Sequence, residues 1–389
     1  MIVLYIAEFL LFIVFTINIL YLVVFSIASH IRKEKTFSVA TSCKRMVILI
    51  PAYKEDRVIQ ECVNSCINQS YPHTYFDVVV ISDQMKAETL QSLFLLPVRV
   101  IQVKFENSTK AKALNFAMGQ IEDPYDIALV LDADNTIAPD FLTQVNNQFA
   151  VPGVQIVQAH RTAKNLNTNL ALLDAVSEEI NNSIFRQGHV NLGLSAALIG
   201  SGMAFSYGLF KEVMGTINAI GGFDRALELV LLKDRKRIFY LPDAYVLDEK
   251  VQYHQEFSLQ RRRWLSAQLH YMCAHIKEVP GAIRERNCDF CDKMFQQMSI
   301  PRLLLLGFNG LFAVLLTCFA DGLAVKWWML FVLLIGSLFL SIPRRLLTKQ
   351  LLFALMELPY SFFLMAMTVF RLKGANKKFI HTTHGVSPN

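Results

Sequence analysis

Asp132 and Asp134 stand one residue apart at the end of the apolar run "DIALVL" (126–131). Carboxylates at i and i+2 on a turn leaving a strand can face one divalent ion or one metal-bound diphosphate. Mg²⁺ and Mn²⁺ are held in this way, by one or two carboxylates together with substrate phosphates. Other chemistry-bearing residues recur where neighbouring apolar runs stop. Pro51, Ala52, Tyr53 and Glu55 follow "MVILI" (46–50), and Asp83 follows "FDVVVIS" (76–82). Lys112 and Asn115 lie near the start of "STKAKALNFAM" (108–118). A nucleotide-diphosphate ligand needs a carboxylate or amide for base and ribose, a cation for the pyrophosphate, and a metal. These segments could supply all three.

They can do so only if strands bring them to one edge. "MVILI", a continuous apolar run ended by Pro51, reads as a buried parallel strand. Helical spacing follows through Val58, Ile59, Cys62, Val63, Cys66 and Ile67, then the strands "FDVVVIS" and "VRVIQV" (98–103). A second helical pattern runs through Ala113, Leu114, Ala117, Met118 and Ile121 before "DIALVL", and Pro139 sits where a helix would begin. The alternation predicts an α/β domain, a mostly parallel sheet with helices on both faces. Ligands of such sheets lie beyond the carboxyl ends of the strands, where Asp132 and Asp134 stand.

The ends of the chain have a different composition. Hydrophobic residues make up 53% of the 389, and mean hydropathy is +0.35. Residues 2–28 carry one charge, Glu8, and are long enough to span a bilayer. No basic segment precedes them and "HIRKEK" (30–35) follows, which predicts a retained anchor with residue 31 onward in the cytoplasm. Two further spans are expected at 303–320 and 327–342. The stretch 351–370 is interrupted by Glu357 and Pro359 and has basic flanks: Arg344, Arg345 and Lys349 before it, Arg371, Lys373, Lys377 and Lys378 after it. A crossing helix and a broken helix at the cytoplasmic surface both stay open. The net charge of +6 suits contact with anionic lipid. No basic and aromatic module points to nucleic acid. The lone Cys288-x-x-Cys291 pair, among seven cysteines, reads as reduced thiols rather than a zinc site.

Further along stand "AIGGFDRALELVLL" (219–232), "RIFYLPDAYVLDE" (237–249) and "FSLQRRRWLSAQ" (257–268). The order P-A-Y-x-E, an Asp after the second strand, K-A-L-N, D-x-D, G-S-G-M, an acidic loop and Q-x-x-R-W resembles the membrane-embedded family-2 glycosyltransferases. That group includes cellulose, chitin and hyaluronan synthases and ceramide glucosyltransferases, and the resemblance covers about residues 44–270. It implies a GT-A-type, Rossmann-like fold, a UDP-sugar donor of the glucose or N-acetylglucosamine type, and Mg²⁺ or Mn²⁺. On this resemblance Asp83 contacts uracil and ribose, and Asp132 and Asp134 hold the metal, Asp134 more directly. Pro51, Ala52, Tyr53, Glu55, Lys112 and Asn115 belong to the donor site. Gly200, Ser201, Gly202, Gln260 and Trp264 belong to the acceptor site, and Arg263 steadies the pyrophosphate.

The sequence departs from that family at the general base. Laid on the G-D-D-R of hyaluronan synthases, Gly222-Phe223-Asp224-Arg225 puts Asp224 at the base position and Phe223 in place of the first acid. Glu228, one helical turn later and on the same face, is the competitor. Arg261 and Arg262 are expected to face solvent or headgroups, and Trp264 has an alternative reading as an interfacial anchor. His381 and His384 mimic a metal motif without a nearby acid. "FIHTTH" (379–384) faintly resembles a segment that closes over the nucleotide, with the Thr383 hydroxyl as its active group.

The expected organisation is a membrane helix (1–30), a cytoplasmic catalytic domain (44–255), interfacial helices with Q-x-x-R-W (256–300), two or three membrane helices (301–371) and a basic tail (372–389). The resemblance implies a multi-pass protein of the plasma or inner membrane that transfers sugar, with inversion, to a polysaccharide or a lipid. Membrane lipids are its surroundings. Polymer export would add a partner subunit or a homo-oligomer. The competing expectations are a catalytically degenerate subunit of a polysaccharide synthesis or export complex, or a transporter. The latter is disfavoured by the lack of intramembrane charge clusters and inverted repeats.

Overall fold

A computed structural model describes residues 2–31, 39–319 and 321–370. The strands are β1 (Met46–Tyr53), β2 (Phe76–Asp83), β3 (Arg99–Val103), β4 (Ile127–Val130), β5 (Thr136–Ile137), β6 (Ile156–Ala163), β7 (Met203–Ser206) and β8 (Phe239–Asp248). They form one sheet in the order β3-β2-β1-β4-β7-β6-β8-β5. β1 pairs in parallel with β2 and β4, and β2 with β3, so the apolar runs behave as their lack of alternation predicts. Val47, Leu49, Val79, Ile81, Ala128 and Val130 face one layer of helices, among them Lys110–Gln120 and Phe223–Lys233. Ile48, Ile50, Val78, Val80 and Leu129 face the other, with helices Ile59–Ile67 and Phe141–Phe149. Strands covered on both faces must be apolar at every position.

The far half of the sheet is mixed. β7 runs antiparallel to β4 and β6, β5 runs antiparallel to β8, and β6 and β8 are parallel. Between β6 and β7 lies a helix, Asn169–Asn181, that passes into a π-helical turn, Asn182–Gly188. A Cβ at Gly188 would collide with the Phe25 carbonyl oxygen, so glycine lets the first helix, Ile2–Ala28, rest directly on this turn.

Three helices, Ile2–Ala28, Arg302–Phe319 and Gly322–Leu340, are long and apolar enough to cross a membrane. Phe15, Ile19 and Leu22 of the first pack with Trp327, Leu330 and Leu334 of the third. Glu8 accepts from Lys326 Nζ at 2.8 Å and from Trp327 Nε1 at 2.6 Å, so its charge is paired within the bundle. The last apolar stretch forms two helices, Lys349–Leu355 and Leu358–Phe370, bent by 44° at a break that contains Glu357. Pro359 supplies no backbone N–H there. Glu357 Oε1 accepts from Asn169 Nδ2 at 2.9 Å, which ties the break to the α/β domain. The tail motif with His381, Thr383 and His384 lies outside the described residues.

Candidate active site

The parallel strands end together. Tyr53 and Asp83 are register partners across β1 and β2, and Lys54 N donates to the Asp83 carbonyl at 3.1 Å. The D-x-D turn after β4 is fastened by hydrogen bonds. Asn135 N donates to the Asp132 carbonyl at 3.1 Å, Asp132 N donates to Ser201 Oγ at 2.9 Å, and Ser201 Oγ donates to Asn135 Oδ1. Asn135 Nδ2 donates to Asp134 Oδ1 and to Asp248 Oδ1, both at 3.1 Å. Ser201 is therefore a buried clamp on the turn. Gly202 (φ +63°) leaves no room for a Cβ, which would lie 2.8 Å from Val246 Cγ2. Ser201 and Gly202, expected at the acceptor, do not line the cavity; Gly200 does.

That cavity encloses about 1290 Å³ and begins at the strand edge, where Pro51, Ala52, Tyr53, Glu55 and Asp83 line it. Asp132, Asp134, Asp224, Gln260, Arg263 and Trp264 line it too. Asp83 is 3% exposed, and its Oδ1 is sealed without a hydrogen-bond partner among the described residues. Gln260 Oε1 and Ser108 Oγ, also on the wall, are orphaned in the same way. Groups like these normally find partners.

Lys112, expected in the donor site, does not line the cavity. Lys112 points away and donates to the Asn107 carbonyl at 3.0 Å. Lys110 faces the cavity instead, where its Nζ donates to Asp132 Oδ1 and to the Gly200 carbonyl. Thr109 caps this helix by accepting from Lys112 N, so Lys110 is the first helical residue and Lys112 points to the other side. Asn115 also turns from the cavity and bonds the Ile217 carbonyl, bracing the loop before Gly221.

Asp224 stands in the first turn of helix Phe223–Lys233, behind Gly222 at φ +63°. A Cβ on Gly222 would lie 2.9 Å from Ala267 Cβ, and Tyr271 Oη donates to the Gly221 carbonyl at 3.0 Å. The glycine pair thus docks this turn against helix His254–His275, which carries Gln260, Arg263 and Trp264. Gly200 (φ +85°) faces Asp224: a Cβ there would lie 3.8 Å from Asp224 Cγ. Burial lowers the Arg263 pKa, while the charges of Asp132 and Asp224 oppose that shift, so the guanidinium senses both carboxylates. Glu228 is only 2% exposed. It forms an ion pair with Lys293 at 2.5 Å and accepts from Leu198 N at 3.3 Å; burial raises its pKa.

Arg261 also departs from expectation. Rather than facing solvent or headgroups, it pairs with buried Asp174 at 2.6 Å and stacks 4.5 Å from the Trp264 ring. Burial lowers its pKa. Behind the D-x-D turn, Arg161 and Arg186 share Glu178, and Arg161 and Lys250 flank Asp248. Burial would raise the Glu178 and Asp248 carboxyls, but these cations hold both below the usual range.

Comparison with known proteins bears on the family and the fold. A family profile described as "Glycosyltransferase like family 2" matches residues 44–267. The chain is 30% identical over 99 residues to the poly(ribitol-phosphate) beta-N-acetylglucosaminyltransferase TarS of Staphylococcus aureus, covering 24% of this chain and 17% of that one. It is 27% identical over 235 residues to an N-acetylglucosaminyltransferase of Rhizobium meliloti (56% and 54%). It is also 27% identical over 186 residues to the beta-monoglucosyldiacylglycerol synthase of a Nostoc species (46% and 38%). The matched part therefore spans about half or less of each of these relatives. In fold, the chain resembles the mannosyltransferase PcManGT of Pyrobaculum calidifontis, solved with GDP-Man and Mn²⁺. The TM-score is 0.54 at 18% identity, covering 85% of this chain and 96% of that one. With a GT-A-like sheet and a family match over more than half its length, the chain belongs to glycosyltransferase family 2.

Proposed function

We propose that this protein is a membrane-bound, inverting hexosyltransferase that moves sugar from a UDP-sugar to an acceptor entering from the membrane side, with Asp224 as general base. One observation carries the reading. The D-x-D pair and Asp224 line the same cavity, and Lys110 joins them by bonding both Asp132 and the Gly200 carbonyl beside Asp224. The glucose or N-acetylglucosamine type of donor rests on the sequence resemblance and on the names of the Rhizobium and Nostoc relatives.

The residues present suit a divalent ion. Among the described residues no group of three or more His, Cys, Asp or Glu could hold one. Two carboxylates sharing the ion with a diphosphate is the ordinary arrangement for Mg²⁺ or Mn²⁺. Both carboxylates have protein partners, Lys110 for Asp132 and Asn135 for Asp134, and the choice of Asp134 as the more direct ligand rests on the sequence resemblance. When bound, the ion neutralises charge on the departing diphosphate. Arg263 and Lys110 add fixed positive charge beside it, the electrostatic contribution that usually dominates such reactions. Asp83, with its unsatisfied oxygen, would hold the nucleoside. The acceptor oxygen attacks the anomeric carbon, the bond to the diphosphate breaks, and Asp224 takes the acceptor proton. The buried ion pair with Lys293 makes Glu228 a poor competitor for this role. The three apolar helices and the basic segment after the first support a multi-pass membrane protein with the α/β domain in the cytoplasm.

The test is UDP release by the purified protein in nanodiscs, across a panel of UDP-sugars, with Mn²⁺, Mg²⁺ or EDTA. Release with one sugar that EDTA abolishes supports the reading. Absence of both turnover and nucleotide binding contradicts it.

A further inference from the structure

Arg302 stands where the α/β domain meets the membrane helices, as the first residue of helix Arg302–Phe319, and lines the same cavity. Its Nη2 donates to Ser177 O at 3.1 Å, Ser177 Oγ at 3.2 Å and Asn181 Oδ1 at 2.8 Å. Its Nη1 is sealed from solvent and has no hydrogen-bond partner among the described residues. The carboxylates nearby are committed elsewhere: Glu178 to Arg161 and Arg186, and Asp174 to Arg261. A buried guanidinium with neutral partners and one idle nitrogen is costly unless an anion completes it.

Beyond Arg302 the cavity wall becomes largely hydrocarbon. Leu306, Leu311 and Val314 line it from helix Arg302–Phe319, Ile335 and Leu338 from helix Gly322–Leu340, and Met365 from helix Leu358–Phe370. Such a wall cannot hydrogen-bond sugar hydroxyls, so a polysaccharide threaded here would lose its hydration without replacement. An acyl or isoprenoid chain loses nothing there and gains burial. The cavity thus runs from the D-x-D pair and Asp224, past a guanidinium with one unpartnered nitrogen, into an apolar limb.

We infer that the acceptor is a phosphate-bearing membrane lipid, whose phosphate sits on Arg302 and whose hydrocarbon chain occupies the apolar limb between the membrane helices. This rests on the glycosyltransferase reading and narrows its acceptor. A glycerophospholipid with a free headgroup hydroxyl and a polyprenyl phosphate share the required chemistry. With the former, the hydroxyl oxygen attacks the sugar and loses its proton to Asp224. With the latter, a phosphate oxygen attacks and UDP leaves.

The experiment uses the full chain in phosphatidylcholine nanodiscs with a labelled UDP-sugar. Separate arms contain phosphatidylglycerol, a polyprenyl phosphate, neutral diacylglycerol or a soluble oligosaccharide. The expected result is organic-soluble label with one of the two phosphate lipids, and which one names the source. In Arg302→Gln the KM for that lipid should rise about tenfold or more, as loss of a charge-assisted hydrogen bond implies, with a smaller change in kcat. Arg302→Lys should fall between. Equal or better labelling of diacylglycerol, label only in water-soluble polymer, or unchanged lipid KM in Arg302→Gln overturns the inference. If that variant does not fold, the wild-type lipid panel decides alone. Failure to release UDP from any donor in any arm contradicts the glycosyltransferase reading itself.

Discussion

Glu228 and Lys293 form an ion pair at 2.5 Å with both side chains nearly sealed from solvent, one helical turn below Asp224. Two acids on one face of a helix therefore have different tasks. Both line the cavity, but Glu228 is buried and joins helix Phe223–Lys233 to helix Cys288–Met298, while Asp224 is only half-buried. Breaking a buried pair by removing one partner strands the other charge, at about 3–5 kcal/mol. Glu228→Gln is expected to lower the thermal unfolding midpoint of the purified protein clearly. Glu228→Leu combined with Lys293→Met should restore much of it.

Lys110 and Lys112 are two residues apart on one helix but only Lys110 reaches the cavity. Lys110→Ala should lower kcat/KM for the donor about tenfold or more, because charge-assisted hydrogen bonds to Asp132 and the Gly200 carbonyl are lost. Lys112→Ala should leave kcat/KM within about twofold of wild type, since exposed side chains of this kind contribute little. Steady-state kinetics of the two variants side by side makes the comparison.

Gly222 combines a left-handed backbone with close approach to Ala267 and Tyr271. Gly222→Ala adds about 1–2 kcal/mol of backbone strain and a contact too short to keep. The turn that presents Asp224 should move off helix His254–His275. The expected outcome is a large fall in kcat with donor affinity preserved, measured by turnover and by UDP calorimetry.

Glu179 links the domain to the membrane region. Burial would raise its pKa, but hydrogen bonds from His160 and Thr162 and the charge of Arg345 hold it at about 2, against an ordinary 4.5. A depressed folded value means the group favours the folded state above pH 4.5 and loses that contribution as pH falls through about 2. The unfolding midpoint should decline across this window, and Glu179→Gln should flatten the decline. Glu178 and Asp292, held low in the same direction, will keep some slope in the variant.

The parallel half of the sheet was legible because strands buried on both faces need uninterrupted apolar runs, as Met46–Ile50 and Val78–Ile81 have. The carboxyl edge followed from that, and with it Asp83, Asp132 and Asp134. Lys110 was missed because the choice between it and Lys112 depends on where the helix starts, and Thr109 as cap was not recognised. Arg261 was misplaced because its partner, Asp174, is distant in sequence. Helix Asn169–Asn181 went unread for a related reason: Asp174, Glu178 and Glu179 are buried within it, and their cations come from β6, the π-helical turn, and residues 261 and 345. Leu172, Val176 and Ile180 do recur at helical spacing and pack with the membrane helices, but nothing local in sequence shows that the acids between them are buried and paired. Asn135 was visible beside the D-x-D pair, but its bridge to Asp248 depends on β8 lying alongside β5 and β6.

The most direct test of the central claim is the transfer rate of Asp224→Asn against wild type and Glu228→Gln, at saturating donor and metal, with UDP affinity measured in each. If Asp224 is the base, its variant binds UDP normally and loses about 100- to 10,000-fold in turnover, while folded Glu228→Gln retains most of its rate. Wild-type-like turnover in Asp224→Asn, with the loss falling on Glu228→Gln instead, would contradict the account.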